Sequence, residues 1–259
     1  MLIFNLHHVE PLIRHKERQH ISVTPNGLRW IIRSLRWAGL EIVSLRDVLA
    51  NTDAQALDAN KVLLTLDDGY ENNYLYAVPV FEAERCPVTI FALPGRFEGC
   101  NEWDQGHLPE SERDKLMSLA QMKELAQSSK YITFGSHGMR HEHFPELDEA
   151  ALRFEIEESY AILSRELGSA FLPALAYPWG ESSPSVVAAM KNSPYQCAFT
   201  VEKALWGLQT NRFEIPRHSL YFRDGNPLVF LAKLFRHNLL SFHWNGISVN
   251  RQFYESPSF

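Results

Sequence analysis

No stretch of the chain approaches the ~20 consecutive apolar residues that a helix needs to cross a bilayer, so no membrane span is expected. The opening residues, Met1 to His8, lack a basic n-region and have too short an apolar run for a secretory leader. They read as a first strand, and the expected location is the cytoplasm. Lys/Arg-rich runs are missing too: 25 basic residues face 31 acidic ones, giving a formal net charge of -6. That balance argues against nucleic acid as the main partner. The one basic cluster, Arg14 to Arg18, is broken by Glu17 and reads as a solvated loop. Cysteine is scarce. Cys86, Cys100 and Cys197 are odd in number and form no CxxC pair, which points to free thiols in a reducing compartment rather than a disulfide framework. Internal repeats and low-complexity segments are absent as well.

What is present is an ordinary globular composition, 45% hydrophobic and 22% charged over 259 residues. One domain over 1–259 is expected, with a core large enough to need neither disulfides nor a structural metal. A metal, if bound, serves chemistry. Short apolar runs repeatedly end in polar or special residues. Leu2–Leu6 leads into His7-His8, and Lys61–Leu66 into Asp67-Asp68-Gly69. Val88–Leu93 leads into Pro94-Gly95, Tyr131–Phe134 into Gly135-Ser136-His137, and Leu172–Ala176 into Tyr177-Pro178-Trp179-Gly180; Cys197–Val201 is a further candidate strand. Such runs fit strands buried on both faces.

Helical stripes lie between them. Thr24-Pro25 opens a helix whose face is Leu28, Ile31, Ile32 and Leu35, with Gly39 as its stop. A second is expected from about Glu146 to Leu167, and a third over Leu116, Leu119, Met122 and Leu125. Alternating strands and helices imply an α/β fold with parallel pairing, in which the site gathers at the C-terminal ends of the strands. Asn51–Asn60 reads as a polar loop, and residues after about Asp224 read differently from the rest.

Two clusters carry chemistry. On extended backbone, the adjacent carboxylates Asp67 and Asp68 point in opposite directions and cannot share a role. One can face a metal while the other faces a proton; equally, the trio with Gly69 can be a helix-capping turn. His137 and His141, at i and i+4, share a face if helical and can meet one ion, although one surface and one core histidine account for the same spacing. His143 falls outside that register and reads as a neighbour. Taken together, two histidines and a carboxylate form a three-ligand set with open positions, and the second carboxylate completes a hydrolytic site.

These residues resemble the polysaccharide deacetylases, also called the NodB-homology or carbohydrate esterase family 4 proteins. The family's TFDDG motif appears as Thr65-Leu66-Asp67-Asp68-Gly69. Its H-S/T-x-x-H motif appears as His137-Gly138-Met139-Arg140-His141, with glycine in place of the hydroxyl residue. A third motif, R-x-P-Y or F-A-Y-P-Y-G, appears as Leu175-Ala176-Tyr177-Pro178-Trp179-Gly180. Leu6-His7-His8-Val9 looks like the YHxV start of one branch, and Glu214-Ile215-Pro216-Arg217 is similar to that branch's L-P-R segment. The resemblance covers roughly 1–220 and leaves the tail 221–259 unassigned.

The resemblance implies a distorted (β/α) barrel of about seven parallel strands acting as a metal-dependent carbohydrate N-deacetylase, with an N-acetylated carbohydrate as partner. Asp68, His137 and His141 are then ligands of one divalent ion, zinc first, with nickel, cobalt or iron as options. Asp67 is the implied base. Trp179 supplies an oxyanion N–H and a surface for sugar, beside Tyr177. Where many members carry an arginine that pairs with the base, this chain has Ala176, and Arg217 is the candidate replacement. For the acid, His243 in Leu240-Ser241-Phe242-His243 is a loose match to the family's L-x-L-H motif, with His218 and His7 as rivals or substrate contacts. A C–N hydrolase acting on a small non-sugar amide or imide, and a weakly catalytic metal- and glycan-binding relative, are the competing functions.

Overall fold

The structure, a computed structural model, describes residues 1–11, 21–51, 57–106 and 109–236. The basic cluster at 14–18, part of the 51–60 loop and His243 lie outside the described residues. The elements run β1 (Leu2–Leu6), β2 (His8–Val9), β3 (Ser22–Val23), α1 (Pro25–Trp37), β4 (Glu41–Ile42), α2 (Leu45–Ala50), β5 (Lys61–Leu66), α3 (Val78–Ala83) and β6 (Val88–Ala92). They continue with α4 (Leu119–Ser128), β7 (Ile132–Ser136), α5 (Glu149–Leu167), β8 (Phe171–Ala176), α6 (Pro184–Lys191), β9 (Cys197–Phe199), β10 (His218–Ser219) and α7 (Pro227–Arg236).

The main sheet is parallel and curled, in the order β10-β1-β5-β6-β7-β8-β9, with β4 added beside β5. The expected α/β architecture of about seven parallel strands is therefore present. One segment draws the two ends of the sheet together. Ile215 pairs with Phe199, while three residues later His218 pairs with Phe4 of β1. Ile215 donates its N–H to the Ala198 carbonyl at 2.9 Å and Leu220 donates to that of Asn5 at 2.9 Å.

Strand alternation divides the core into two layers. Leu2, Phe4, Leu6, Leu64 and Ile90 pack outward against helices, α1 among them. Ile3, Leu63, Phe91, Ala174, Ala176, Phe199 and Ile215 form the inner cluster. The expected caps are in place: Thr24 Oγ1 accepts the Gly27 N–H at 3.0 Å to start α1, and Gly39 leaves it at φ 77°. Helix α5 begins at Glu149 rather than 146, because Phe144–Glu146 forms a separate turn and Asp148 is the N-cap. Leu116 lies ahead of α4, in an antiparallel bridge to Tyr70.

Part of the unassigned tail belongs to this core: α7 places Phe230 and Leu234 in the outer layer, with the Phe230 ring 5.6 Å from that of Phe4. All three cysteines are buried free thiols, and burial pushes Cys86 and Cys197 up to about 12. No helix among the described residues is long and apolar enough to cross a membrane.

Inner-layer packing reaches the strand ends through Gly135. A Cβ there would stand 2.5 Å from the Phe91 ring and 2.9 Å from the Ala174 carbonyl, so the sheet can pack around Phe91 only with glycine at this position. Gly135→Ala is expected to cost about 1–3 kcal/mol by overpacking. Urea unfolding checks it, and an unchanged midpoint would remove Gly135 from this account.

Candidate metal centre

Following β5, the chain turns sharply. Asp67 N–H donates to Leu6 O at 2.9 Å, then Asp68 and Gly69 take φ values of 68° and 67°. The two carboxylates diverge because of this left-handed turn, not because the backbone is extended as expected from sequence. An aspartate with positive φ is tolerated but uncommon, and such residues concentrate at functional sites.

Asp67 turns into the barrel and meets Arg217. The guanidinium Nη1 and Nη2 donate to Oδ1 and Oδ2 at 2.7 and 2.8 Å, a two-pronged pair with both side chains almost wholly buried. Arg217 also donates to the Thr200 carbonyl at 3.0 Å and to Thr65 Oγ1 at 3.2 Å, and its guanidinium lies 5.6 and 5.7 Å from the Phe91 and Phe199 ring centroids. Burial pushes the Asp67 carboxyl up; the Arg217 guanidinium, by its charge and its hydrogen bonds, outweighs it and holds the group below its usual range. His7 Nε2 stands 3.9 Å from Asp67 Oδ2, and Asn5 Nδ2 donates to the same oxygen at 3.4 Å.

Asp68 faces the other way, toward two imidazoles. Its Oδ1 lies 3.2 Å from His137 Nε2 and 3.3 Å from His141 Nε2, and all three side chains are buried. One ligand atom from each residue falls within 4.8 Å of the others. His137 follows β7, and its Nδ1 lies 2.7 Å from the Ala176 carbonyl. A carbonyl can only accept, so that nitrogen carries the proton and Nε2 of the neutral ring is left with its lone pair toward Asp68.

The histidines do not share a helical face. Residues 137–143 form a loop with Gly138 at φ 81° and His141 at φ 70°, since two left-handed residues in five break any helical turn. The loop still delivers both rings to one point.

The group fits a divalent cation on the chain's own terms. Asp68 Oδ1 is buried between two nitrogens yet has no well-aligned hydrogen bond among the described residues. Two imidazoles and one carboxylate are a donor set suited to zinc and its neighbours.

The other expected site residues separate into two groups. Trp179 is at the site: 39% exposed and at φ 61°, it meets His141 edge-on at 5.0 Å and stacks on His143 at 4.7 Å. His143 is a neighbour, its Nδ1 paired with Glu181 at 2.9 Å. Tyr177 does not reach the site. Its ring is fully buried and its hydroxyl donates to the Phe213 carbonyl at 2.9 Å, because alternation along β8 sends it into the outer layer. His218 also points outward from the barrel, against the Phe4 ring, with Nε2 3.0 Å from the Ala204 carbonyl. It is not among the groups around Asp67.

Sequence reasoning left several neighbours unplaced. Trp103 stacks face-on over His141 at 4.4 Å. Tyr70 is buried beside it, its hydroxyl accepting from Asn101 Nδ2 at 2.7 Å, and its ring stacks on His8 at 3.8 Å. For Trp103 the available signal is the long aperiodic stretch between β6 and α4, a kind of loop that is usually functional.

The Arg217–Asp67 pair generates a stability prediction. Arg217→Met should cost about 3–5 kcal/mol in urea unfolding, because it strands a buried carboxylate. Wild-type stability from this pair has a fixed sign with pH. The folded carboxyl titrates below its ordinary 3.8, so the contribution is complete above that value and lost as pH falls through the lower folded one. A variant as stable as wild type at pH 7 would contradict the pairing.

Comparison with known proteins bears on the family and the fold. The family model described as polysaccharide deacetylase matches residues 54–198. YxkH of Bacillus subtilis strain 168, named after the polysaccharide deacetylases, is 28% identical over 141 residues. That alignment covers 54% of this chain and 44% of the relative, so it spans less than half of that protein. Among solved structures, the Streptococcus pyogenes deacetylase PplD, in complex with acetate, superposes with a TM-score of 0.71 at 19% identity, covering 90% of this chain and 96% of that one. IcaB from Ammonifex degensii gives 0.70 at 19% identity with the same coverage. At that identity the two structures speak for the shared fold. The family match takes in β5 with its paired aspartates, the histidine loop and β8, and with it the chain belongs to the polysaccharide deacetylase family.

Proposed function

We propose that the protein is a metal-dependent hydrolase that removes N-acetyl groups from an amino-sugar-containing glycan or glycan precursor. The observation that carries this reading is the buried trio Asp68, His137 and His141 beside a second carboxylate, Asp67, which Arg217 clamps separately. A pure binding site needs only the trio; the clamped carboxylate adds a proton acceptor.

Asp68, His137 and His141 would hold one divalent ion, zinc by first choice, which when bound would supply Lewis-acid chemistry toward a carbonyl and water. The chain's own groups supply the rest. Asp67 accepts a proton from the attacking water through lone pairs that its two bonds to Arg217 leave free, while Arg217 keeps it ionised and oriented. The water oxygen bonds to the acetyl carbon, the C–N bond breaks, and the amine leaves with a proton as acetate forms. The peptide N–H of Trp179 is the proposed donor to the oxyanion, a role for which pre-aimed backbone groups suit the purpose. Its half-exposed indole offers a flat face to a sugar ring. His7 has a quarter of its side chain exposed at the rim and is placed to contact substrate or to give up the leaving-group proton.

Acetate release from N-acetylated oligosaccharides tests the reading. Asp67→Asn should lower kcat by ~10²–10⁴-fold while leaving the trio able to take up metal. Equal trace rates in wild type and variant would reduce the protein to a binder. Chelator should abolish turnover and added zinc restore it; activity indifferent to chelation would rule out the metal.

A further inference from the structure

Helix α5 carries a carboxylate that the proposed reaction does not use. Glu155 is fully buried, and its charge is directed at the loop between the two histidines. Oε2 accepts the Met139 N–H at 2.7 Å and the Arg140 N–H at 3.1 Å; Oε1 accepts Arg140 Nε at 3.0 Å. Consecutive peptide N–H groups converging on one oxygen form an anion-binding concavity, here filled by a side chain of the same protein. On the other side of the loop, Gly95 N–H donates to the Met139 carbonyl at 3.0 Å. Met139 is therefore held at both its N–H and its carbonyl.

Gly138 makes this arrangement possible. A Cβ at this position would lie 3.0 Å from Glu155 Oε2 and 3.1 Å from the Phe144 ring, and the residue sits at φ 81°. Next along, His141 holds φ 70°, a conformation that a non-glycine residue keeps only when its surroundings impose it. The side chain of Arg140 is 45% exposed, so its ion pair with Glu155 is screened; the two peptide N–H bonds are buried or partly so and count for more.

We propose that Glu155 is the positioning residue of the metal centre: its carboxylate fixes the 138–141 loop in the one conformation that turns His141 Nε2 toward Asp68 and His137, and so sets metal affinity. The proposal rests on the metal reading of that trio. Partners that orient ligands from outside the coordination shell change metal affinity by about 10–100-fold when mutated.

The test is zinc affinity by chelator competition, measured with the melting temperature of the metal-free protein. Glu155→Gln keeps the shape but removes the charge, so even with its oxygen on the two peptide N–H groups those bonds fall from charge-assisted to neutral strength, about half, and Arg140 Nε faces an amide donor. A Kd for zinc about 10–100-fold weaker than wild type is expected. Arg140→Ala, which keeps both peptide bonds to the carboxylate, should stay within about threefold of wild type. A Glu155→Gln protein that melts lower but binds zinc as tightly as wild type makes Glu155 a fold element only and overturns the proposal. An Arg140→Ala loss as large as that of Glu155→Gln overturns it too, assigning the effect to the ion pair. Should Glu155→Gln fail to fold, Glu155→Asp, which keeps the charge but withdraws it by one methylene, is expected to weaken zinc in the same sense, and wild-type affinity there is equally fatal. Wild-type protein without zinc affinity is a separate result: it removes the metal reading, and this inference with it.

Discussion

The buried pair between Asp67 and Arg217 is the contact on which the site depends. An isolated carboxylate at this depth would take up a proton, because the interior disfavours its charge. Two short bonds from a guanidinium, itself anchored on Thr200 and Thr65 and lying near two phenyl rings, keep the group ionised in one orientation. Arginine suits the position because its planar fork matches both oxygens at once and does not lose its charge on burial. With Asp67 committed to the barrel interior, Asp68 is free for the histidines, and the left-handed turn at Asp68–Gly69 separates the two.

Each half of the centre is built from a different kind of structure. The Asp67 side rests on paired strands and inner-layer packing. The histidine side rests on a loop whose shape is held by hydrogen bonds: Ala176 O to the His137 ring, Gly95 to Met139 O, and Glu155 to two peptide N–H groups. Aromatic rings then wall the loop in, with Trp103 over one face of His141 and Trp179 at its edge. Ala176 acts through its backbone, whose carbonyl orients the His137 ring while its side chain joins the inner layer.

Much of this was legible before any coordinates. Apolar runs ending in Asp67-Asp68-Gly69 and in Gly135-Ser136-His137 marked strands buried on both faces, and they also marked the rim where the side chains meet. Arg217 could be tied to Asp67 only through a resemblance, since nothing local in the sequence reports a partner 150 positions away. Tyr177 and His218 were misplaced for one common reason. Near a strand end the face a side chain takes depends on the exact residue at which pairing stops, and a shift of one position exchanges barrel interior for helix layer. The helical reading of His137 and His141 failed differently, because spacing of four fits a helix and a tight loop alike, and only Gly138 hinted at the loop. Glu155 carried no signal at all; in a helix with many acidic residues, its burial is visible only once the fold is known.

The segment from Ile215 to Ser219 lies between β9 and β1, and it also carries the arginine. The strand bearing Asp67 thus lies 150 positions ahead of its counter-charge, and Asp67 can be buried as a carboxylate only once that segment is in place. Folding cannot finish from the front. The centre becomes whole only when one of the last parts of the barrel threads home, a long-range closure of the kind that makes such topologies slow to fold. The same few residues that draw the sheet ends together therefore also deliver the guanidinium to Asp67.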